Sequence, residues 1–396
     1  MEKTWRWFGP SDPITLQMLR QIGVEGIVTS LHDVPAGAVW THEKVGELDD
    51  FIRRGGLRWS VVESLPVSEA IKYRGPEADN LIEAYIESLE SLGRAGVKTV
   101  CYNFMPVIDW IRTDLRHRWP DGTTSLYFDR VRFAYFDIRI LRRRGAEADY
   151  SPAELAAVEK LDLTITEAEK EELIDSIIVK TQGFVHGNIK EGDKDPVSIF
   201  RRLLALYDGI DRDTLRENMR RFLASVMPVC EQYGIGMCVH PDDPPWAVLG
   251  LPRIVTSAED IDWILRAVDH PSNGLTFCAG SLSAGTHNDV VAMARRFASR
   301  THFVHLRSTE TLPDGNFIES SHLAGRGNLI ELTRIFERAN PRLPMRIDHG
   351  RAMLDDAEKS YNPGYSFLGR MFALAQMDGV LATVKNEIEN GYERHV

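Results

Sequence analysis

The sequence predicts an α/β protein: a (β/α)8 TIM barrel that carries a long, mostly helical insertion after its fourth strand. Eight short runs rich in β-branched and aromatic residues are each bounded by turn residues, as strands are. Helical patterns lie between most neighbouring runs, and alternation of strand with helix is the mark of a parallel sheet. Several runs, such as Thr99-Val100-Cys101-Tyr102-Asn103-Phe104, are apolar almost throughout, which fits strands covered on both faces. Eight such units suit a closed barrel, although an open doubly wound sheet satisfies the same count.

In chain order the runs are Thr4–Gly9, Gly26–Leu31, Arg58–Ser64, Thr99–Phe104, Gly236–Pro241, Leu275–Gly280, His302–Arg307 and Met345–Gly350. The stretch between Phe104 and Gly236 far exceeds an ordinary βα connection of a few residues. An insertion at 105–215 is therefore expected, within one barrel domain spanning 1–396. Inside it, Pro120-Asp121-Gly122 before the alternating Ser125-Leu126-Tyr127-Phe128 reads as a hairpin. Ser151-Pro152-Ala153-Glu154 and Thr166-Glu167-Ala168-Glu169 each read as a capping box that opens a helix. Leu215, Met219, Phe222, Leu223, Val226 and Cys230 share one helical face that returns the chain to the barrel, with a kink expected at Pro228. No internal repeat, low-complexity tract or Gly/Ser-rich linker marks off a second domain.

With 47 Lys+Arg against 58 Asp+Glu, the net charge of -11 argues against nucleic acid or an anionic membrane as partner. A small anionic substrate then requires a local cationic patch. No apolar run approaches the ~20 residues of a membrane span, and the opening Met1-Glu2-Lys3-Thr4-Trp5 does not begin a signal peptide. The four cysteines are too few and too scattered for a disulfide framework, so reduced thiols and a cytoplasmic location are expected. A homo-oligomer is compatible with this composition.

His240, Cys278, His305 and Asp348 fall at or near the C-terminal ends of four successive predicted strands, 38, 27 and 43 residues apart. Each separation is close to one βα unit, and in a barrel those ends surround one mouth, where active sites are built. Taken singly, Cys278 is more often a core thiol, and His305 is equally well a satisfied strand histidine. Four ligand-type residues at equivalent positions point instead to a shared metal on rigid strands, unlike the Cys-x2-Cys pairs of structural zinc. One thiolate, two imidazoles and a carboxylate suit zinc, iron(II), cobalt or manganese better than magnesium or calcium.

Around this set, Arg307 with Ser308 and Arg351 supply cationic and hydroxyl groups for a substrate carboxylate. The turn Asn362-Pro363-Gly364-Tyr365 would lift Tyr365 over the mouth, and His349 follows Asp348 where the strand is already ending. Asp242 and Asp243 read either as partners behind the ligands or as solvated loop residues. No Walker-type loop and no nucleophile elbow occurs, and Gly325-Arg326-Gly327 lacks the third glycine of a dinucleotide fingerprint.

Cys101-Tyr102-Asn103-Phe104-Met105-Pro106-Val107, His240-Pro241-Asp242-Asp243-Pro244-Pro245, Gly250-Leu251-Pro252-Arg253-Ile254, His305-Leu306-Arg307-Ser308 and Asp348-His349-Gly350 together resemble the mannonate dehydratase family of hexuronate breakdown. The resemblance runs from Trp5-Arg6-Trp7 almost to the C-terminus. It implies a xylose-isomerase-like barrel that uses manganese or iron(II), with ligands at His240, Cys278, His305 and Asp348. It further implies proton transfer by His349 and Tyr365, a substrate contact at Asn103, and loss of water from D-mannonate. Another metal-dependent sugar isomerase or epimerase on this fold, or a noncatalytic sugar-acid binding protein, are the other readings.

Overall fold

A computed structural model describes residues 1–183, 189 and 192–391. Eight parallel strands close into a barrel: β1 (Glu2–Arg6), β2 (Gly26–Thr29), β3 (Arg58–Glu63), β4 (Thr99–Tyr102), β7 (Gly236–Val239), β8 (Asn273–Cys278), β9 (Thr301–Leu306) and β12 (Pro344–Ile347). Around the barrel the order is β1-β12-β9-β8-β7-β4-β3-β2. Closure removes both sheet edges, which excludes the open doubly wound alternative.

Each predicted run maps onto one of these strands, but hydrogen-bonded pairing ends one to three residues before the run does. The reason is geometric. The last residues of each run lie beyond the ladder at the C-terminal end of the barrel, as His240 and Asp348 do, while Cys278 and His305 still pair within it. Inside the barrel, Val28, Val61, Cys101, Cys238 and Phe303 form a closed apolar layer, which places Cys238 in the core. Outside, alternation sends Trp5 toward the helical shell, where it meets Phe367 with ring centroids 6.1 Å apart.

Between β4 and β7 come β5 (Asp114–Arg118), β6 (Thr124–Phe128) and a series of helices; residues 184–188, 190 and 191 of the expected insertion lie outside the described residues. β5 and β6 pair antiparallel around the Pro120-Asp121-Gly122 turn. Ser151 and Thr166 cap the helices Pro152–Asp162 and Glu167–Ile174, each with the reciprocal bond from Glu154 or Glu169. The helix Arg212–Tyr233 continues through Pro228 and sets Phe222 edge-on to Tyr85 at 5.0 Å.

Two further short strands, β10 (Thr309–Thr311) and β11 (Phe317–Glu319), escaped the sequence reading. They extend the hairpin into a four-stranded sheet, β10-β11-β6-β5, beside the barrel mouth. The helix Phe367–Glu389 is long and apolar enough on average to cross a membrane, with mean hydropathy 1.2. Its Leu374, Met377, Leu381 and Val384 are buried, and Glu387 pairs with Arg334 at 2.9 Å.

Candidate active site

The ends of β7, β8, β9 and β12 are consecutive around the barrel, so one half of the mouth carries all four predicted ligand residues. Donor atoms of His240, Cys278 and His305 lie within 4.8 Å of one another. Nε2 of His240 is 3.2 Å from Nδ1 of His305. A carboxylate oxygen of Asp348 lies 3.9 Å from both the Cys278 sulfur and the His305 Nδ1. These donors could hold a metal: the set is compact, largely buried, and rich in sulfur and nitrogen.

The electrostatics favour ligating forms. Burial works against a thiolate, yet Arg307 and His240 hold the Cys278 thiol well below its usual range. Burial likewise opposes a charged His240, but the adjacent Cys278 sulfur lifts it to about 10. Both shifts run in the direction that favours a thiolate beside a nearby cation, the form in which cysteine ligates a metal. Behind the cluster, Glu63 at the end of β3 lies 3.2 Å from Nε2 of His305 and 3.0 Å from Nε of Arg346. Arg346 in turn holds Asp348 at 2.6 Å, so His305 and Asp348 are both oriented from outside.

His349 and Tyr365 line the same cavity, their rings 5.0 Å apart and nearly perpendicular. The left-handed turn at Gly364, with φ of 82°, lays the backbone against the His349 ring; a Cβ there would sit 2.8 Å from the imidazole. Burial pushes the Tyr365 phenol up to about 12, although Arg346 pulls the other way. Trp110 covers His349 from another side at 4.9 Å.

Asn103 also lines the cavity and donates to Asp109. Arg307 reaches the cavity, but three carboxylates claim it: Asp243 at 2.7 Å, Asp348 at 2.9 Å and Glu319 at 2.5 Å. Stripping a buried pair of one partner costs about 3–5 kcal/mol, so Arg307 is better suited to holding the site together than to turning toward a ligand. Ser308 does not line the cavity; its buried hydroxyl accepts from the Gly327 amide at 2.8 Å. Arg351 does not line it either. It pairs with Asp121 at 3.1 Å and lies over the Trp119 ring at 3.8 Å, held by the β5–β6 hairpin.

Asp242 and Asp243 are buried, which removes the solvated-loop reading. Asp242 meets Arg253 at 3.2 Å, and Asp243 takes Arg112 as well as Arg307. Sequence reasoning missed Glu63, Arg346, Arg6, Asp109, Trp110 and Glu319. Glu63 and Arg6 close the observed strands β3 and β1; Glu63 is next to the end of its predicted run, whereas the run holding Arg6 continues to Gly9. Glu319 follows a second Pro-Asp-Gly turn, Pro313-Asp314-Gly315, a hairpin signal of the kind recognised at residue 120. A larger cavity of about 630 Å³ lies between the 350–366 loop and residues 172–180, but none of the four ligand candidates lines it.

Residues 1–391 match the family described as D-mannonate dehydratase (UxuA). The chain belongs to the D-mannonate dehydratase family. It is 44% identical over 394 residues to a mannonate dehydratase of Chromohalobacter salexigens, covering 97% of this chain and 99% of the relative. The crystal structure of mannonate dehydratase from Streptococcus suis superposes with a TM-score of 0.75 at 31% identity, over 98% of this chain and 96% of that one. A xylose isomerase domain protein of Alicyclobacillus acidocaldarius, 11% identical with a TM-score of 0.51, covers 97% of this chain and 99% of its own; that likeness is one of fold.

Proposed function

We propose that the chain removes water from D-mannonate to give 2-dehydro-3-deoxy-D-gluconate, using manganese or iron(II) held by His240, Cys278, His305 and Asp348. The observation that carries this reading is the cluster of His240, Cys278 and His305, with Asp348 3.9 Å from two of them, beside the His349–Tyr365 pair, in a chain of this family. When bound, the metal would act as a Lewis acid that stabilises negative charge developing on substrate oxygen.

The chain's own groups must take a proton from C2 and deliver one to the hydroxyl leaving C3. Glu319 lies 2.9 Å from Nδ1 of His349, which favours the tautomer carrying hydrogen on that nitrogen and leaves the lone pair on Nε2. His349 is then the base for the C2 proton. Tyr365, whose raised phenol stays protonated at neutral pH, is the donor to the departing oxygen. The C2–H electron pair becomes the C2–C3 double bond, the C3–O bond breaks with its electrons, and the resulting enol rearranges to the ketone. Burial under Trp110 and the Gly364 turn keeps water from competing for these protons.

The four cysteines, all free and buried, and the net charge of -11 support a cytoplasmic enzyme whose partner is a small sugar acid rather than nucleic acid or membrane. Anaerobic incubation of D-mannonate with enzyme loaded with manganese or iron(II), followed by identification of the product, tests substrate, reaction and metal together. An epimeric or isomeric product, or binding without turnover, would overturn the assignment.

A further inference from the structure

Arg6 closes β1, which adjoins β12 and its ligand-bearing end, and its side chain lines the cavity that contains His240, Asp348, His349 and Tyr365. It is 8% exposed. Among the described residues its guanidinium donates no hydrogen bond, and its buried Nη1 has no hydrogen-bond partner, only an ion-pair contact with Glu63. The nearest carboxylate oxygen, on Glu63, is 3.9 Å away, beyond hydrogen-bond reach. Glu63 is in any case already engaged by Arg346 and by Nε2 of His305.

Every other buried arginine around the site donates hydrogen bonds from at least one of its nitrogens, although Nε of Arg253, Arg307 and Arg346 also lacks a hydrogen-bond partner. Arg112 is gripped by Asp243 and Glu319, Arg307 by three carboxylates, Arg346 by Glu63 and Asp348, and Arg253 by Asp242 and two backbone carbonyls. Arg370, behind the wall, donates to the carbonyls of Ser366, Tyr365 and Arg6. A buried cation whose donors are unspent is expensive to maintain unless an anion visits it. The stack of Arg6 on Phe8, at 5.2 Å, holds the guanidinium plane without using its N–H groups.

We propose that Arg6 is the carboxylate-binding residue of the substrate site, a planar fork that fixes the acid end of the sugar beside Asp348, His349 and Tyr365. The inference rests on the sugar-acid reading above. It takes over the role that the sequence alone assigned to Arg307 and Arg351, the first held by three carboxylates and the second absent from the cavity lining. A contact made equally in the bound and reacting states changes KM more than kcat.

The test uses the metal-loaded enzyme and the variants Arg6→Met and Arg6→Lys, each checked for metal content and melting temperature. Arg6→Met should raise KM for D-mannonate about 10- to 100-fold, the range for a lost charge-assisted hydrogen bond, with a much smaller change in kcat. Inhibition by D-gluconate relative to its uncharged counterpart D-glucitol provides the second readout. The wild type should prefer the anion, Arg6→Met should lose that preference, and Arg6→Lys should recover part of it. A merely structural arginine would not alter discrimination between acid and alditol. If wild type turns over D-mannonate while metal-replete Arg6→Met, or Arg6→Lys where the former does not fold, shows the wild-type KM and anion preference, the role of Arg6 is overturned and the dehydratase reading stands. A wild type that does not dehydrate D-mannonate overturns both.

Discussion

Oε1 of Glu319 lies 2.9 Å from Nδ1 of His349, and the other carboxylate oxygen is 3.1 Å from the same nitrogen. Both oxygens of one carboxylate facing the same ring nitrogen favour hydrogen on Nδ1 and restrain the imidazole's rotation. Glu319 also compensates Arg112 and Arg307, so the carboxylate ties the barrel end to the outer sheet. Glu319→Gln should lower kcat by about 10- to 100-fold, as supporting partners of site residues typically do. It should also lower stability by up to about 3–5 kcal/mol, because two buried arginines lose a counterion. Glu319→Asp should restore part of the stability and less of the rate. A Gln variant with wild-type kcat would remove His349 orientation from the role of Glu319.

The contrast between Glu319 and His305 explains what the sequence made legible. His305 sits in a periodic apolar run at a strand end, so the barrel pattern located it and its spacing from Cys278 and Asp348 grouped it with them. Glu319 closes a strand of only three residues, too short for periodicity to register. Its partner His349 is 30 residues away in the chain, and nothing local announces the pairing. Arg307 and Arg351 differ from Glu319 in kind. The sequence placed both after strand ends, but whether an arginine is spent on a neighbouring carboxylate depends on side chains from Asp121, Asp243 and Glu319, all set by tertiary packing.

Alanine at His240, Cys278, His305 or Asp348 should lower bound metal and activity together, since each would remove one donor from the cluster. Cys238→Ala should leave metal content unchanged, because that sulfur lies in the apolar layer within the barrel and faces the Val100 carbonyl at 3.5 Å. Elemental analysis of the purified variants decides the point: full occupancy in all four, or loss in Cys238→Ala, contradicts the ligand assignment.

Gly364→Ala tests how the turn seats the base. The added methyl would meet the His349 ring at 2.8 Å, in a backbone conformation that L residues rarely adopt. Displacement of His349 should lower kcat at least about tenfold, since misplacing a reacting group by about an ångström is costly, while metal content is retained. Wild-type kcat in this variant would show that the turn does not control the imidazole.

Stability should fall in acid through the same network. Burial disfavours the charged form of Glu319, but His349, Arg307 and Arg112 outweigh it and hold the carboxyl down to about 2, against 4.5 for an ordinary glutamate. A depressed folded-state value means that the contribution is complete above about 4.5 and disappears as pH falls toward about 2. Chemical denaturation across that window should therefore show a declining unfolding free energy, with a shallower decline in Glu319→Gln. Equal slopes for the two proteins would assign the acid sensitivity to other carboxylates.

His349→Asn and Tyr365→Phe separate proton transfer from metal assembly, because neither removes a donor of the His240, Cys278, His305 and Asp348 set and both nearly preserve volume. Each should bind metal as the wild type does and lose about 100-fold or more in turnover, the usual range for a positioned acid or base. The two losses should differ in kind. With deuterium at C2 of D-mannonate, His349→Asn should stop washing the label into solvent, since its amide cannot accept the proton at neutral pH. Tyr365→Phe should still exchange the label while failing to expel the C3 hydroxyl, because Glu319 still holds the His349 tautomer that presents Nε2. The reverse pattern, exchange in His349→Asn and none in Tyr365→Phe, would make the phenol the base despite the burial that raises it to about 12. Wild-type dehydration by both variants would leave the metal cluster standing and remove this pair from the reaction.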